Sequence, residues 1–83
     1  MPVVLRVDGF SFGFFSREHD PAHVHVRHGG DVAIIEIETG HVRRSSLRAP
    51  DVSKAGALVR IYRDELRAAW LEWKLKREGD NGQ

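Results

Sequence analysis

Apolar and polar residues alternate with a period of two through much of the first forty positions, then change to a three–four spacing. The first regime predicts strands and the second a helix. Val3-Val4-Leu5-Arg6-Val7 reads as a short strand, closed by the hairpin dipeptide Asp8-Gly9. Phe10, Phe12 and Phe14 then share one face of a second strand over residues 10–15. All four phenylalanines lie in those six residues, so this strand supplies the bulkiest part of the expected core. Gly13 within it points to a bulge or a close packing neighbour.

A polar connection over residues 16–21 ends in the turn signal Asp20-Pro21. Residues 22–28 and 31–38 form the third and fourth strands, joined by Gly29-Gly30. A two-residue hairpin there opposes Val26 to Ala33 and Val24 to Ile35, with Ile37 next on the same side. His25 then faces Ile34 and His23 faces Glu36 on the other side. A three-residue loop would flip the register and scatter the apolar face, so the two-residue version is expected. Residues 39–50 have no clear period and read as a connection with room for a short extra strand.

From Val52 the apolar positions are Val52, Ala55, Leu58, Val59, Tyr62, Leu66, Ala69, Trp70 and Trp73, a helical stripe over six turns. Asp51, after Pro50, is the expected N-cap of one long helix over residues 52–77, and Gly79 can stop it. The expected fold class is α+β: a small antiparallel sheet of three to four strands packed by one long C-terminal helix. It forms a single domain over residues 1–79, with residues 80–83 as a loose tail.

Composition narrows the chemistry. An 83-residue chain buries only about 60% of its unfolded surface, so the core is thin. There are no cysteines, which excludes disulfides and thiolate metal ligands. No apolar run approaches the roughly 20 residues of a membrane span and no signal peptide is visible, so the expected location is the cytoplasm. The net charge of +1 hides an asymmetry. Residues 1–40 carry three arginines against six acids; residues 41–83 carry ten basic residues against six acids. The halves can attract each other within one fold, address different partners, or form solvated faces.

Four of the five histidines lie between His19 and His28. His23 and His25, two apart on a strand, share a face about 6.6 Å apart. Arg27 continues that row and Glu36 joins it from the partner strand. Three readings stand. The row is the polar face of a half-exposed sheet. Alternatively, His23 and His25 are acid and base toward a phosphodiester, with Arg27 holding phosphate. Or His23, His25 and Glu36, with His19 or Asp20, bind a divalent ion. No cofactor is required by the first two. His28, on the valine side, can bond Asp31 at the hairpin end.

Arg17 and His19 in the connection, and Arg43, Arg44 and Arg48 further on, are candidate ligand-binding residues. The arginine cluster can hold a nucleic-acid backbone or an acidic partner. With Tyr62, Trp70 and Trp73 on the helix's inward stripe, no aromatic is left for base stacking, and a solvated loop is the simpler reading. A helix of 26 residues is about 39 Å long, more than short strands cover. Its end, with Trp70, Leu71 and Trp73, is therefore a candidate partner-binding surface, for a second copy or another chain.

The run Phe14-Phe15-Ser16-Arg17-Glu18-His19-Asp20-Pro21-Ala22-His23-Val24-His25-Val26, followed by glycines and a helix ending in Ala-Trp, resembles the domain of unknown function 4160, a family of small bacterial proteins. The resemblance spans roughly residues 10–73. The family has two prolines before the first strand histidine; here the second is Ala22. The resemblance implies a compact α+β fold of three or four antiparallel strands and a helix. It also implies a setting beside a second small gene, in pairs that look like toxin–antitoxin modules. This chain would be the toxin component, bound to its neighbour's product.

Overall fold

Three short turns fold the first part of the chain into a meander. Asp8 and Gly9 both take positive φ, 52° and 82°, as a tight hairpin turn between strands of right-handed twist requires. They join β1 (Val3–Val7) to β2 (Phe10–Gly13). Gly29, at φ +63°, turns β3 (His23–His28) into β4 (Asp31–Glu36). Gly40 at φ +77° precedes β5 (Val42–Ser45). The computed structural model describes residues 2–15 and 19–81, with side chains through residue 76.

The five strands are antiparallel and ordered β1-β2-β3-β4-β5. The sheet therefore has one or two strands more than the pattern implied. The additional strand, β5, is exposed at all four residues. It is held by backbone pairing to β4 and leaves no apolar alternation to read. The register of the third and fourth strands is the one the diglycine implied: His23 opposes Glu36, Val24 opposes Ile35 and Val26 opposes Ala33.

Alternation then divides the sheet. Phe10, Phe12, Val24, Val26, Ala33 and Ile35 point to an inner face and are buried. Phe14 and Ile37 extend that core past the strand ends. Helix α1 (Ala49–Ile61) lays Ala55, Leu58 and Val59 on it. α1 starts earlier than expected: Arg48 is the N-cap, Pro50 lies in the first turn, and Asp51 sits beside it. Proline there forfeits no helical bond, and the Asp51 charge still favours the N-terminal end of the dipole.

The single long helix is corrected to two. The helical run breaks at Tyr62 (φ −102°, ψ 21°), and α2 (Arg63–Asn81) follows at once, passing Gly79 without stopping. Arg63 Nε donates to the Ile37 carbonyl at 2.8 Å, tying the start of α2 to the residue after β4. α2 then crosses the end of the sheet. Arg67 meets Glu38, Trp70 meets His23 and Phe14, Lys74 meets Asp20, and the helix reaches β1. Residues 82–83 of the expected tail lie outside the described residues.

This path overturns part of the partner surface read from the sequence. Trp70 does not overhang; it is 3% exposed, between Phe14, His23 and Trp73. Trp73 is half-buried against Phe14. Leu71 and Leu75 face solvent, 54% and 68% exposed.

Candidate functional site

The histidine row lies on the outer face of the sheet, where no inward alternation buries it, yet both histidines are nearly covered. His23 is 5% exposed and His25 9%. Their rings are 5.8 Å apart and inclined at 53°. Each is shielded by an aromatic from a different element. Trp70 of α2 lies 5.4 Å from His23, and Phe15, just past β2, meets His25 edge-on at 4.3 Å. The row is thus not the fully wet strand face that alternation alone allows.

His23 Nδ1 is 3.0 Å from the Pro21 carbonyl. A carbonyl only accepts, so Nδ1 carries the hydrogen and the lone pair of the neutral ring resides on Nε2. The Asp20-Pro21 bond is cis. Arg43 Nη2 also donates to the Pro21 carbonyl, at 3.4 Å. Arg43 Nε donates to Glu36 Oε2 at 3.0 Å, and Thr39 donates to Glu36 Oε1 at 3.1 Å. The hydrogen bond from Arg43 holds the Glu36 carboxyl below its ordinary value, aided by Thr39 and by the charges of Arg43 and His41. Glu36 therefore stands opposite His23 as expected, but its carboxylate is committed to Arg43.

The other candidates separate. Arg27 is exposed on the outer face, two residues beyond His25. Arg44 is exposed opposite Ile34, and Arg48 is exposed at the start of α1. Arg43 is not a ligand-ready guanidinium like these, because Glu36 already holds it. His19 is exposed on the loop before Asp20, and Asp20 pairs with Lys74 at 2.6 Å. Arg17 lies outside the described residues. Among the described residues no three histidine, aspartate or glutamate side chains stand close enough to hold a metal ion.

His28 corrects another expectation. Its ring stacks on Phe10 at 4.3 Å, and Nδ1 donates to the Gly9 carbonyl at 3.1 Å, rather than bonding Asp31. Two outer-face residues escaped the sequence reading. Phe15 is 40% exposed over His25, so an aromatic does stand on the open side of the sheet. Arg6, opposite Ser11, adds a cation there. The signal for both was present. Arg6 alternates with Leu5 and Val7, and Phe15 has the opposite parity to Phe14.

A family model for the domain of unknown function (DUF4160) matches residues 9–71. The chain belongs to this family. The match covers β2 to β5, all of α1 and α2 as far as Leu71, and so includes the histidine row. No curated protein and no solved structure matches the chain. Among the described residues no helix is long and apolar enough to cross a membrane.

Proposed function

We propose that this family member is the toxin component of a toxin–antitoxin-like pair, and that α2 holds the small protein from the neighbouring gene. One observation carries the reading: α2 is apolar on two sides. Leu66, Ala69, Trp70 and Trp73 form the inward stripe. Ala68, Leu71 and Leu75 form a second stripe at three–four spacing, and all three are exposed. A solvated helix needs only one apolar face, so the second is suited to another chain's groove or helix. Co-expression with the neighbour's product should give one complex in size-exclusion chromatography. A Leu71→Ser/Leu75→Ser variant with unchanged circular dichroism should separate from it. Independent elution of the wild-type pair, or a homodimer that excludes the neighbour, defeats the proposal.

A second reading is favoured by the histidine pair. Two imidazoles 5.8 Å apart, one with its tautomer set by Pro21, suit acid–base cleavage of a phosphodiester in a histidine-dependent ribonuclease or phosphodiesterase. Arg27 supplies the adjacent phosphate contact. Movement of Phe15 would have to open His25 to substrate. His23→Ala and His25→Ala should each abolish growth inhibition on expression, with the fold intact by circular dichroism. Undiminished inhibition in both variants eliminates this reading. A divalent-metal module, the third reading, has no assembled ligand set among the described residues to support it.

A further inference from the structure

We infer that the open outer face of the sheet is a binding surface for single-stranded nucleic acid. The observation is a segregation of charge by face. Among the described residues, four ion pairs tie acids of residues 1–40 to bases of residues 41–83: Asp8–Lys54, Asp20–Lys74, Glu36–Arg43 and Glu38–Arg67. The acidic and basic halves of the chain thus largely neutralise each other within the fold. Of the exposed arginines left out of this pairing, Arg48 and Arg60 belong to α1 and its cap, and the three on strands are Arg6 on β1, Arg27 on β3 and Arg44 on β5. None of the three forms an ion pair among the described residues.

All three have outer-face parity. Arg6 and Arg27 both oppose Ser11, and Arg44 opposes Ile34. They occupy alternate strands, so they are spaced roughly 10 Å apart and together span about 19 Å of the sheet. Glu36, the one outer-face strand carboxylate among the described residues, is already bound by Arg43. With Arg43 counted, the described residues of this face carry four arginines against one acid, +3 on a chain whose net charge is +1. A second copy laid face to face would bring +3 against +3, which disfavours self-association here. A polyphosphate backbone has the complementary charge and the linear spacing to meet arginines in a row.

The second element is Phe15, 40% exposed on the same face and meeting His25 edge-on, four residues along the chain from the Ser11 that Arg6 and Arg27 oppose. An exposed ring on a cationic face is suited to stack an unpaired base, and duplex DNA offers it none. Binding stands on this charge and ring geometry alone. It does not require His23 and His25 to be reactive, nor the α2 stripe to hold a partner, so its failure would leave both readings above untouched.

The test is fluorescence anisotropy of labelled oligouridine titrated with the full chain. Three phosphate contacts on a single strand give a log–log salt slope of about −2. Raising salt from about 50 to 200 mM should therefore weaken binding roughly 18-fold. The triple variant Arg6→Gln/Arg27→Gln/Arg44→Gln should lose at least about tenfold in affinity at low salt and most of that slope. Phe15→Ala should lose about fivefold or more while keeping the slope, because stacking releases no counterions. Arg60→Gln, exposed on α1, should change neither. No anisotropy change up to about 100 μM protein, the weak end of non-specific binding, overturns the inference. So does an equal loss in Arg60→Gln and the triple variant. Displacement by polyglutamate as effective as by unlabelled oligouridine also overturns it, since the face would then read acidic protein.

Discussion

Trp70 and Leu71 are adjacent in the chain and should have opposite fates on substitution. Trp70 is 3% exposed, with Phe14 edge-on at 5.3 Å, His23 at 5.4 Å and Trp73 at 5.8 Å. A buried tryptophan removes about 200 Å² from water, worth about 5 kcal/mol at 25 cal/mol per Å². Alanine keeps part of that and the site relaxes, so Trp70→Ala should cost about 3–5 kcal/mol. An 83-residue domain has only about 4–12 kcal/mol in total. Leu71, more than half exposed on the opposite stripe, should change stability by less than about 0.5 kcal/mol when cut to alanine, which is also the better helix former. Urea titration followed by circular dichroism reads the difference. With a slope of about 1 kcal/mol per molar, Trp70→Ala lowers the midpoint by about 3–5 M, and Leu71→Ala barely moves it. A Trp70→Ala loss below about 1 kcal/mol would refute α2 as the clamp across the strand ends. A Leu71→Ala loss equal to that of Trp70→Ala would show that the outward stripe is packed, not free for a partner.

Acid should weaken the fold through Glu36 and Glu38. Arg43 holds the Glu36 carboxyl below its ordinary value of 4.5, and a bidentate bond from Arg67 does the same for Glu38. In that range the native state binds fewer protons than the unfolded chain, so stability rises with pH. Their contribution is present above about pH 4.5 and is lost as pH falls through the lower native values. Urea midpoints from pH 7 to 3 should fall below pH 4.5, and Glu38→Gln should flatten that fall. Gly9→Ala should cost about 1–2 kcal/mol in thermal or urea unfolding, because φ +82° strains any L side chain, although His28 at 3.6 Å leaves the added methyl in ordinary contact. His28→Ala removes the bond to Gly9 and the stack on Phe10, and should lower the urea midpoint by about 1 kcal/mol equivalent.

The parts of this fold that were readable in the sequence are those where local chemistry and burial agree. The β3–β4 register follows from Gly29-Gly30 and from Val24, Val26, Ala33 and Ile35, which are buried together only in one pairing. The break at Tyr62 was hidden because the apolar stripe continues through it: Val59 before it and Leu66 and Trp70 after it are all buried. The contacts that anchor α2 after the break are tertiary, the bond from Arg63 to the Ile37 carbonyl and the packing of Trp70 on Phe14. β5 was hidden for the converse reason: Val42-Arg43-Arg44-Ser45 has no buried side chain. The site divides in the same way. Alternation put His23, His25, Arg27 and Glu36 on one face, but their partners come from sequence-distant groups. Arg43 takes Glu36, Trp70 covers His23, and His28 reaches back to Gly9.

The cover over the histidines also bears on how the two faces can work together. His23 is packed by α2 from one side and tied to Pro21 on the other, so it links the helix to the loop that leads into β3. Arg43 joins the same carbonyl from β5 and holds Glu36 of β4. A protein seated on Leu71 and Leu75 would lie one helix thickness from this cluster, with Trp70 as the intervening ring. A shift of α2 on binding would move Trp70 against His23 as well as against Phe14. Coupling between partner and outer face has a short physical route through these two rings, and Trp70→Phe is the substitution that thins the route while keeping the core filled. The partner's effect on oligouridine affinity should shrink in Trp70→Phe if the rings carry it, and should be unchanged if the two surfaces act independently.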